Sequence, residues 1–236
     1  MFSDNENFNF GSKNMTKIIA PSILAADFSN LQSVCQMLND SRAEWVHIDV
    51  MDGVFVPNIS FGFPVLEAVN KHCNKELDVH LMIQNPDRYI QRFRDAGADT
   101  ITFHLETVDN PLKTIELIRN SGAKAGITIN PNVPVAALIP VVKYVDMVLL
   151  MSVFAGFGGQ KFIPETFDRI KELQDIGNQQ NANFLIEVDG GIGVDNADKL
   201  FDAGVNILVA GNSIFRTPNP TQTIEKMLKY QSISNY

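Results

Sequence analysis

From Lys17 onward the chain repeats one unit: a short apolar, β-branched run, a polar or glycine-containing loop and, in most cases, a helix-like segment. The runs are Lys17–Leu24, Trp45–Val50, Leu77–Ile83, Thr100–Leu105, Lys124–Ile129, Met147–Val153, Phe184–Val188 and Asn206–Ala210. Their spacing is that of βα units. Several are apolar nearly throughout, as in Ile18-Ile19-Ala20, Val148-Leu149-Leu150-Met151 and Ile207-Leu208-Val209-Ala210. Such runs suit parallel strands covered on both faces. Between them lie helical signals. Leu31, Val34, Cys35 and Leu38 fall at helical spacing, and Asn110-Pro111 reads as a helix start. Gly97, Gly122 and Gly204 fall where helices should end. Eight βα units predict an α/β fold, a single closed (β/α)8 TIM barrel. A doubly wound open sheet is the alternative, but its glycine fingerprint after the first strand is replaced here by Ala20-Pro21-Ser22.

The length of 236 residues fits one large domain. Met1–Asn14, with four Asn, three Phe and two Ser, reads as an N-terminal extension outside the fold, and 15–236 as the barrel catalytic domain. The 27 acidic and 19 basic side chains give a net charge of -8, which disfavours nucleic acid or an anionic membrane as partner. A small phosphorylated ligand is compatible with that charge, because a few backbone amides can hold one phosphate. No apolar run approaches the roughly 18–20 residues of a membrane span. Cys35 and Cys73 read as free thiols away from any site, and the cytoplasm is the expected compartment.

In a barrel the carboxyl ends of the strands carry the chemistry. The first run delivers Ser22, the second His47, Asp49 and Met51, the third His80 and Met82, the fourth His104 and Glu106. Later runs deliver Asn130, Met151 with Ser152, Glu187 with Asp189, and Gly211 with Asn212. Side chains two apart on a strand share a face. His47, Asp49, His80 and Asp189 thus form a candidate four-ligand site for a divalent metal ion. A hydrogen-bonded polar network in the barrel mouth is the alternative. Glycines cluster in Gly156-Phe157-Gly158-Gly159, in Gly190-Gly191 and at Gly211-Asn212. They suit backbone amides approaching a phosphate, and equally suit tight strand-to-helix turns. Met51, Met82 and Met151 point to the same mouth, as core packing or as an apolar cap over the reacting carbon.

The segments Ala20-Pro21-Ser22-Ile23-Leu24-Ala25-Ala26-Asp27 and Val46-His47-Ile48-Asp49-Val50-Met51-Asp52-Gly53 resemble the ribulose-phosphate 3-epimerase family. Asp78-Val79-His80-Leu81-Met82, Phe103-His104-Leu105-Glu106, Gly156-Phe157-Gly158-Gly159-Gln160 and Glu187-Val188-Asp189-Gly190-Gly191 follow in the family's order. The resemblance runs from about Lys17 to Arg216. It implies a ribulose-phosphate-binding barrel that interconverts D-ribulose 5-phosphate and D-xylulose 5-phosphate through an enediolate, in the pentose phosphate pathway. It implies His47, Asp49, His80 and Asp189 as ligands of one divalent ion: zinc, iron(II), manganese or cobalt. Asp49 and Asp189 would be the acid/base pair. Ser22, His80 and the three methionines would contact substrate, and the glycine loops would hold its phosphate. A homo-oligomer, dimer or hexamer, is implied in the same way. Two departures stand out. Phe154-Ala155 replaces the family's usual Asn-Pro before the glycine loop, and Gly211-Asn212 its frequent Gly-Ser.

Three other functions fit less well. An epimerase of a hexulose phosphate such as D-allulose 6-phosphate would present nearly the same site. A magnesium-dependent decarboxylase or aldol enzyme on a related barrel needs a lysine beside the carboxylates, and none stands at a strand end near Asp49. A non-catalytic sugar-phosphate sensor would not need the two histidines and two aspartates intact.

Overall fold

Parallel pairing joins the eight apolar runs into one barrel in a computed structural model that describes residues 16–229. The expected extension Met1–Asn14 lies outside those residues. The strands are β1 (Ile18–Pro21), β2 (Trp45–Met51), β3 (Glu76–Met82), β4 (Thr100–His104), β5 (Lys124–Ile129), β6 (Met147–Met151), β7 (Leu185–Asp189) and β8 (Ile207–Ala210). The helices are α1 (Leu31–Asp40), α2 (Phe63–His72), α3 (Ile90–Asp95), α4 (Pro111–Asn120), α5 (Thr166–Gln180), α6 (Val194–Asp202), α7 (Asn212–Phe215) and α8 (Pro220–Met227). The hydrogen-bonded order is β1-β8-β7-β6-β5-β4-β3-β2, and a single parallel bridge between Ser22 and His47 closes β1 onto β2.

Two features depart from the sequence expectation by more than the residue or two at strand ends. The first strand stops at Pro21, and Ile23–Ala25 becomes a short 3-10 turn capped by the Ser22 side chain. No α-helix joins β5 to β6; the connection holds two 3-10 turns, Val135–Leu138 and Val142–Tyr144. Pro131, Pro134 and Pro140 explain this, since each removes a backbone donor and obstructs the preceding turn. The helices α3, α4 and α6 do end beside Gly97, Gly122 and Gly204, all at positive φ.

Strand alternation divides the molecule into two regions. Outward positions such as Ile48, Val79, Ile101, Ile127, Val148 and Ile186 pack with Leu38, Leu66, Ile118, Leu173 and Leu200 in one apolar cluster. Each fully buried side chain of this kind contributes about 1.5–3 kcal/mol. Inward positions split further. Ile18, Ala20, Trp45, Met147, Ile207 and Val209 form a small apolar plug. His47, Asp78, His80, Thr102, His104, Thr128 and Glu187 are also fully buried, but polar. The core between strands and helices therefore holds the fold, and part of the interior is left for chemistry.

Gly126 on β5 faces Thr102 on β4 at a paired register position. A Cβ there would lie 2.0 Å from Thr102 Oγ1 and 3.2 Å from its Cα. Gly126→Ala should destabilise the barrel by about 1–3 kcal/mol through overpacking. Thr102→Ala in the same chain should recover part of that loss, since it removes the nearest atom. Urea unfolding of the two single variants and the double variant checks this; strictly additive losses would show that the two sites do not meet.

Candidate active site

Register sets the site before any loop does. β2 pairs with β3 so that His47 lies opposite Asp78, Asp49 opposite His80 and Met51 opposite Met82. β6 pairs with β7 so that Met151 lies opposite Asp189. These residues all fall on inward positions, with Met51, Met82, Met151 and Asp189 ending their strands and His47 and Asp78 lying deeper in the barrel.

Asp49 is the centre of the arrangement. Ser22 Oγ donates to its Oδ2 at 2.6 Å, across the seam between β1 and β2. His47 Nε2 lies 3.2 Å and His80 Nδ1 3.1 Å from its Oδ1. Ligand atoms of His47, Asp49, His80 and Asp189 all lie within 4.8 Å of one another. His47 Nε2 is buried and lacks a hydrogen-bond partner, as a lone pair aimed at a cation would be. Two imidazoles and two carboxylates so gathered fit a divalent transition-metal ion.

The other ends of the two imidazoles are fixed from behind. His47 Nδ1 and Asp78 Oδ2 are 2.5 Å apart, which orients the ring. His80 Nε2 meets His104 Nε2 at 2.9 Å. His47, Asp78 and Glu187 also bring ligand atoms together, but Asp78 engages His47 Nδ1 directly and the whole group is sealed from solvent. That group therefore acts as support for His47.

A cavity of about 730 Å³ opens above this centre. Ser22, Asp49, Met51, Met82, Met151 and Asp189 line it. So do Gly156, Phe157, Gly158, Gly159, Gly190, Gly191, Gly211 and Asn212, which puts the glycine segments on one cavity. His47 and His80 do not line it; both rings are fully buried, and His80 stands behind Asp49. Met51 and Met82 pack with Val56 as a buried apolar group beside Leu24, Phe55 and Ala155.

Gly190 and Gly191 have packing reasons of their own. At φ +119° and +64°, Cβ atoms there would lie 2.5 Å from Val153 and 2.3 Å from Phe162 N. The loop after β7 must therefore be narrow to accept the one after β6, whatever the cavity holds. Gln160 Nε2 ties the latter loop, donating to the carbonyls of Phe154 and Phe157 at 2.7 and 2.9 Å. Phe154 itself is half exposed, and the Ala155 N–H donates to Asn130 Oδ1 at 3.0 Å. A proline at 155 could not make that bond.

Several neighbours of the site went unread in the sequence. Asp78 precedes His80 by two residues and so faces the same way, a signal that alternation alone could have supplied. Ser60 Oγ bridges the Asp49 carbonyl and the Met51 amide at 2.7 and 2.9 Å, a contact that no local pattern announces. Arg216 is the cationic side chain among the lining residues, brought there by α7.

The environment drives the titratable groups apart. Burial alone would raise the Asp49 carboxyl, but His47 and then His80 outweigh it and hold it far below the usual range. Burial, and next the negative Asp49, push Asp189 up to about 6. Burial opposes charge on His47, yet Asp49 and Asp78 hold its pKa well above the ordinary value. Glu187 is pushed well up by burial and then by Asp78, so it favours the neutral acid. Burial brings His104 down to about 4.

The sequence model of a family described as "Ribulose-phosphate 3 epimerase family" matches residues 18–215. A ribulose-phosphate 3-epimerase of Mycobacterium tuberculosis strain H37Rv is 41% identical over 207 residues, covering 88% of this chain and 90% of the relative. The enzyme of that name from Synechocystis is 43% identical, covering 90% and 93%. The one from Bacillus subtilis is also 43% identical, covering 89% and 97%. Among solved structures, a mutant tryptophan synthase alpha-subunit from Pyrococcus furiosus superimposes with a TM-score of 0.71 at 16% identity, covering 92% of this chain and 100% of that one. KGPDC from Streptococcus mutans gives 0.68 at 12%, covering 92% and 97%. At these identities the two structures share the fold alone.

Asp189 titration tests the electrostatics of the site. In the metal-free chain its carboxyl should titrate near 6, and Asp49→Asn should lower that value by removing the negative neighbour. A carboxyl raised in the fold favours the folded state most at low pH. Its contribution fades as pH rises from the ordinary aspartate range through about 6. Carbon-13 carboxyl shifts against pH read the titration; an Asp189 that titrates normally, or ignores the change at 49, would contradict the burial and repulsion described.

Proposed function

The chain belongs to the ribulose-phosphate 3-epimerase family, and from that premise we propose that it interconverts D-ribulose 5-phosphate and D-xylulose 5-phosphate by moving a proton at C3. One observation carries this reading: four ligand atoms from β2, β3 and β7 lie within 4.8 Å of one another beneath a cavity whose wall includes the glycine-rich loops.

Inverting a carbon beside a carbonyl requires a proton to leave one face and another to arrive on the opposite face. Asp49 on β2 and Asp189 on β7 are two carboxylates from well-separated strands, both open to the cavity. With its pKa pushed up to about 6, Asp189 can carry a proton near neutral pH, while Asp49 stays ionised. We assign them as the acid/base pair, their roles exchanging with the direction of reaction. Ser22, already donating to Asp49, holds that carboxylate in place and faces the sugar. His47, Asp49, His80 and Asp189 would hold one divalent ion. When bound, it supplies Lewis-acid stabilisation of the negative charge that develops on the substrate oxygens. Zinc, iron(II), manganese and cobalt all suit these donors.

Met51, Met82 and Met151 present apolar atoms to the reacting carbon and exclude water from it. Gly156, Phe157, Gly158, Gly159, Gly190, Gly191, Gly211 and Asn212 form the phosphate side, where backbone amides can approach an anion closely. Arg216 adds a positive charge there, which matters in a chain of net charge -8. The buried position of His80 supports a ligand role for it rather than substrate contact. A homo-oligomer, dimer or hexamer, working in the cytoplasm belongs to the same proposal; family membership supports it, and light scattering of the purified chain reads the assembly.

In heavy water the enzyme should place deuterium at C3 of D-ribulose 5-phosphate. Asp49→Asn and Asp189→Asn should each lose on the order of 10²–10⁴ in turnover. Near wild-type turnover in either variant would overturn the acid/base assignment. Removing divalent ions with a chelator should abolish exchange, and adding them back should restore it; exchange that persists in the chelated enzyme would remove the metal from the proposal. Turnover of D-allulose 6-phosphate equal to or above that of the pentulose would reassign the substrate.

A further inference from the structure

Folding brings the two cysteines of the chain together. Both are free thiols, as expected from the sequence, but they are not isolated from each other. Cys35 lies on α1 and is fully buried, whereas Cys73 follows the last turn of α2 and is partly exposed. Asn39 stands one turn after Cys35 on the same face of α1. Its side chain brackets Cys73: Nδ2 donates to the His72 carbonyl and Oδ1 accepts from the Asn74 N–H, each at 2.9 Å. The Cys73 N–H donates to the Val69 carbonyl at 2.7 Å. These bonds hold Cys73 against α1, where it shares one apolar cluster with Cys35 and the two thiols hydrogen-bond.

The two sulfurs are not equivalent. The Cys35 thiol, and after it the Lys75 amide and ammonium, outweigh burial and bring the Cys73 thiol down to about 7. Lys75 is tethered beside it, its Nζ donating to the Ser41 carbonyl at 3.4 Å. Cys73 thus has thiolate character at neutral pH, and its partial exposure lets a small oxidant reach it. Cys35 is the reverse. Cys73 and burial push its thiol far up, so it keeps its proton, and no oxidant in solution reaches it directly. A reachable nucleophilic sulfur is therefore backed by a protonated partner beneath it, the pairing that lets a thiol be oxidised reversibly.

We propose that Cys73 and Cys35 form a modification site at which a peroxide converts the thiol pair to a reversible disulfide, joining α1 to the segment that enters β3. The Cys73 thiolate attacks one peroxide oxygen. An S–O bond forms, the O–O bond breaks, and the departing hydroxide takes a proton from solvent to become water. Cys73 is now a sulfenic acid. The Cys35 sulfur then attacks the Cys73 sulfur; the S–S bond forms, the S–O bond breaks, and the Cys35 proton leaves with that oxygen as a second water. The two thiols are oxidised and the peroxide is reduced. Cys35 is the resolving group: without it Cys73 would go on to the sulfinic acid, which thiols do not reverse. Neither cysteine lines the cavity, so the site is independent of the proposed reaction.

Hydrogen peroxide added to the full chain tests the site. Thiols counted in denaturant should fall from two to none, and peptide mass mapping should find Cys35 linked to Cys73 within one chain. A small dithiol should restore both. In Cys35→Ser, Cys73 should instead be trapped as the sulfenic acid by dimedone, and should pass to the sulfinic acid with further peroxide. In Cys73→Ser, the buried Cys35 should stay reduced under the same treatment. The unaltered chain decides the matter even if a variant folds poorly. Peroxide that leaves both thiols free, or that links cysteines only between separate chains, would overturn the proposal. So would a Cys35 that oxidises as readily in Cys73→Ser as in the unaltered chain.

Discussion

Everything at the mouth of this barrel depends on keeping one carboxylate, Asp49, ionised where water barely reaches. A buried carboxylate without partners would take up a proton instead of bearing its charge. Asp49 avoids this because Ser22 donates to one oxygen while His47 and His80 approach the other. The Ser22 contact crosses the place where the first and last members of the hydrogen-bonded order meet. Closing the barrel and charging the site are therefore one structural event.

That concentration of buried polarity is tolerable because stability comes from elsewhere. The outward strand faces and the helices over them share a continuous apolar cluster. Apolar inward residues at Ile18, Trp45, Met147 and Ile207 plug one part of the lumen. The polar groups occupy the rest, and most have a partner within the site. The Thr102 and Thr128 hydroxyls and both carboxyl oxygens of Glu187 have no hydrogen-bond partner, and the burial of Glu187 favours its neutral form. A neutral acid beside Asp78 and His47 avoids adding a further negative charge to a lumen that already holds two aspartates and a third beneath them.

The glycine-rich loops illustrate two requirements met by the same residues. Gly190 and Gly191 let the segment after β7 pass Val153 and Phe162 at distances that a Cβ would forbid. The same absence of side chains leaves backbone amides uncovered on the cavity wall. The alternatives of tight turn and anion contact, both open from sequence, are physically compatible, so glycine identity alone cannot separate them.

Much of this was legible in the chain itself. The eight apolar runs determined a parallel barrel, because strands buried on both faces need unbroken apolar sequence. Alternation within His47-Ile48-Asp49 and Glu187-Val188-Asp189 determined which side chains turn inward. Helix stops at glycine and the missing helix among Pro131, Pro134 and Pro140 follow from local backbone chemistry, although the second was overlooked. What only the tertiary structure decided is which inward groups touch. Register put Asp78 behind His47, and the meeting of β3 with β4 put His104 edge-on to His80. Folding also carried Ser60 and Arg216 to the site from segments whose local pattern says nothing of it. The physical reason is range. Periodicity reports which way a side chain points along its own strand, while partner, protonation and proton position depend on atoms tens of residues away in sequence and about 3 Å away in space.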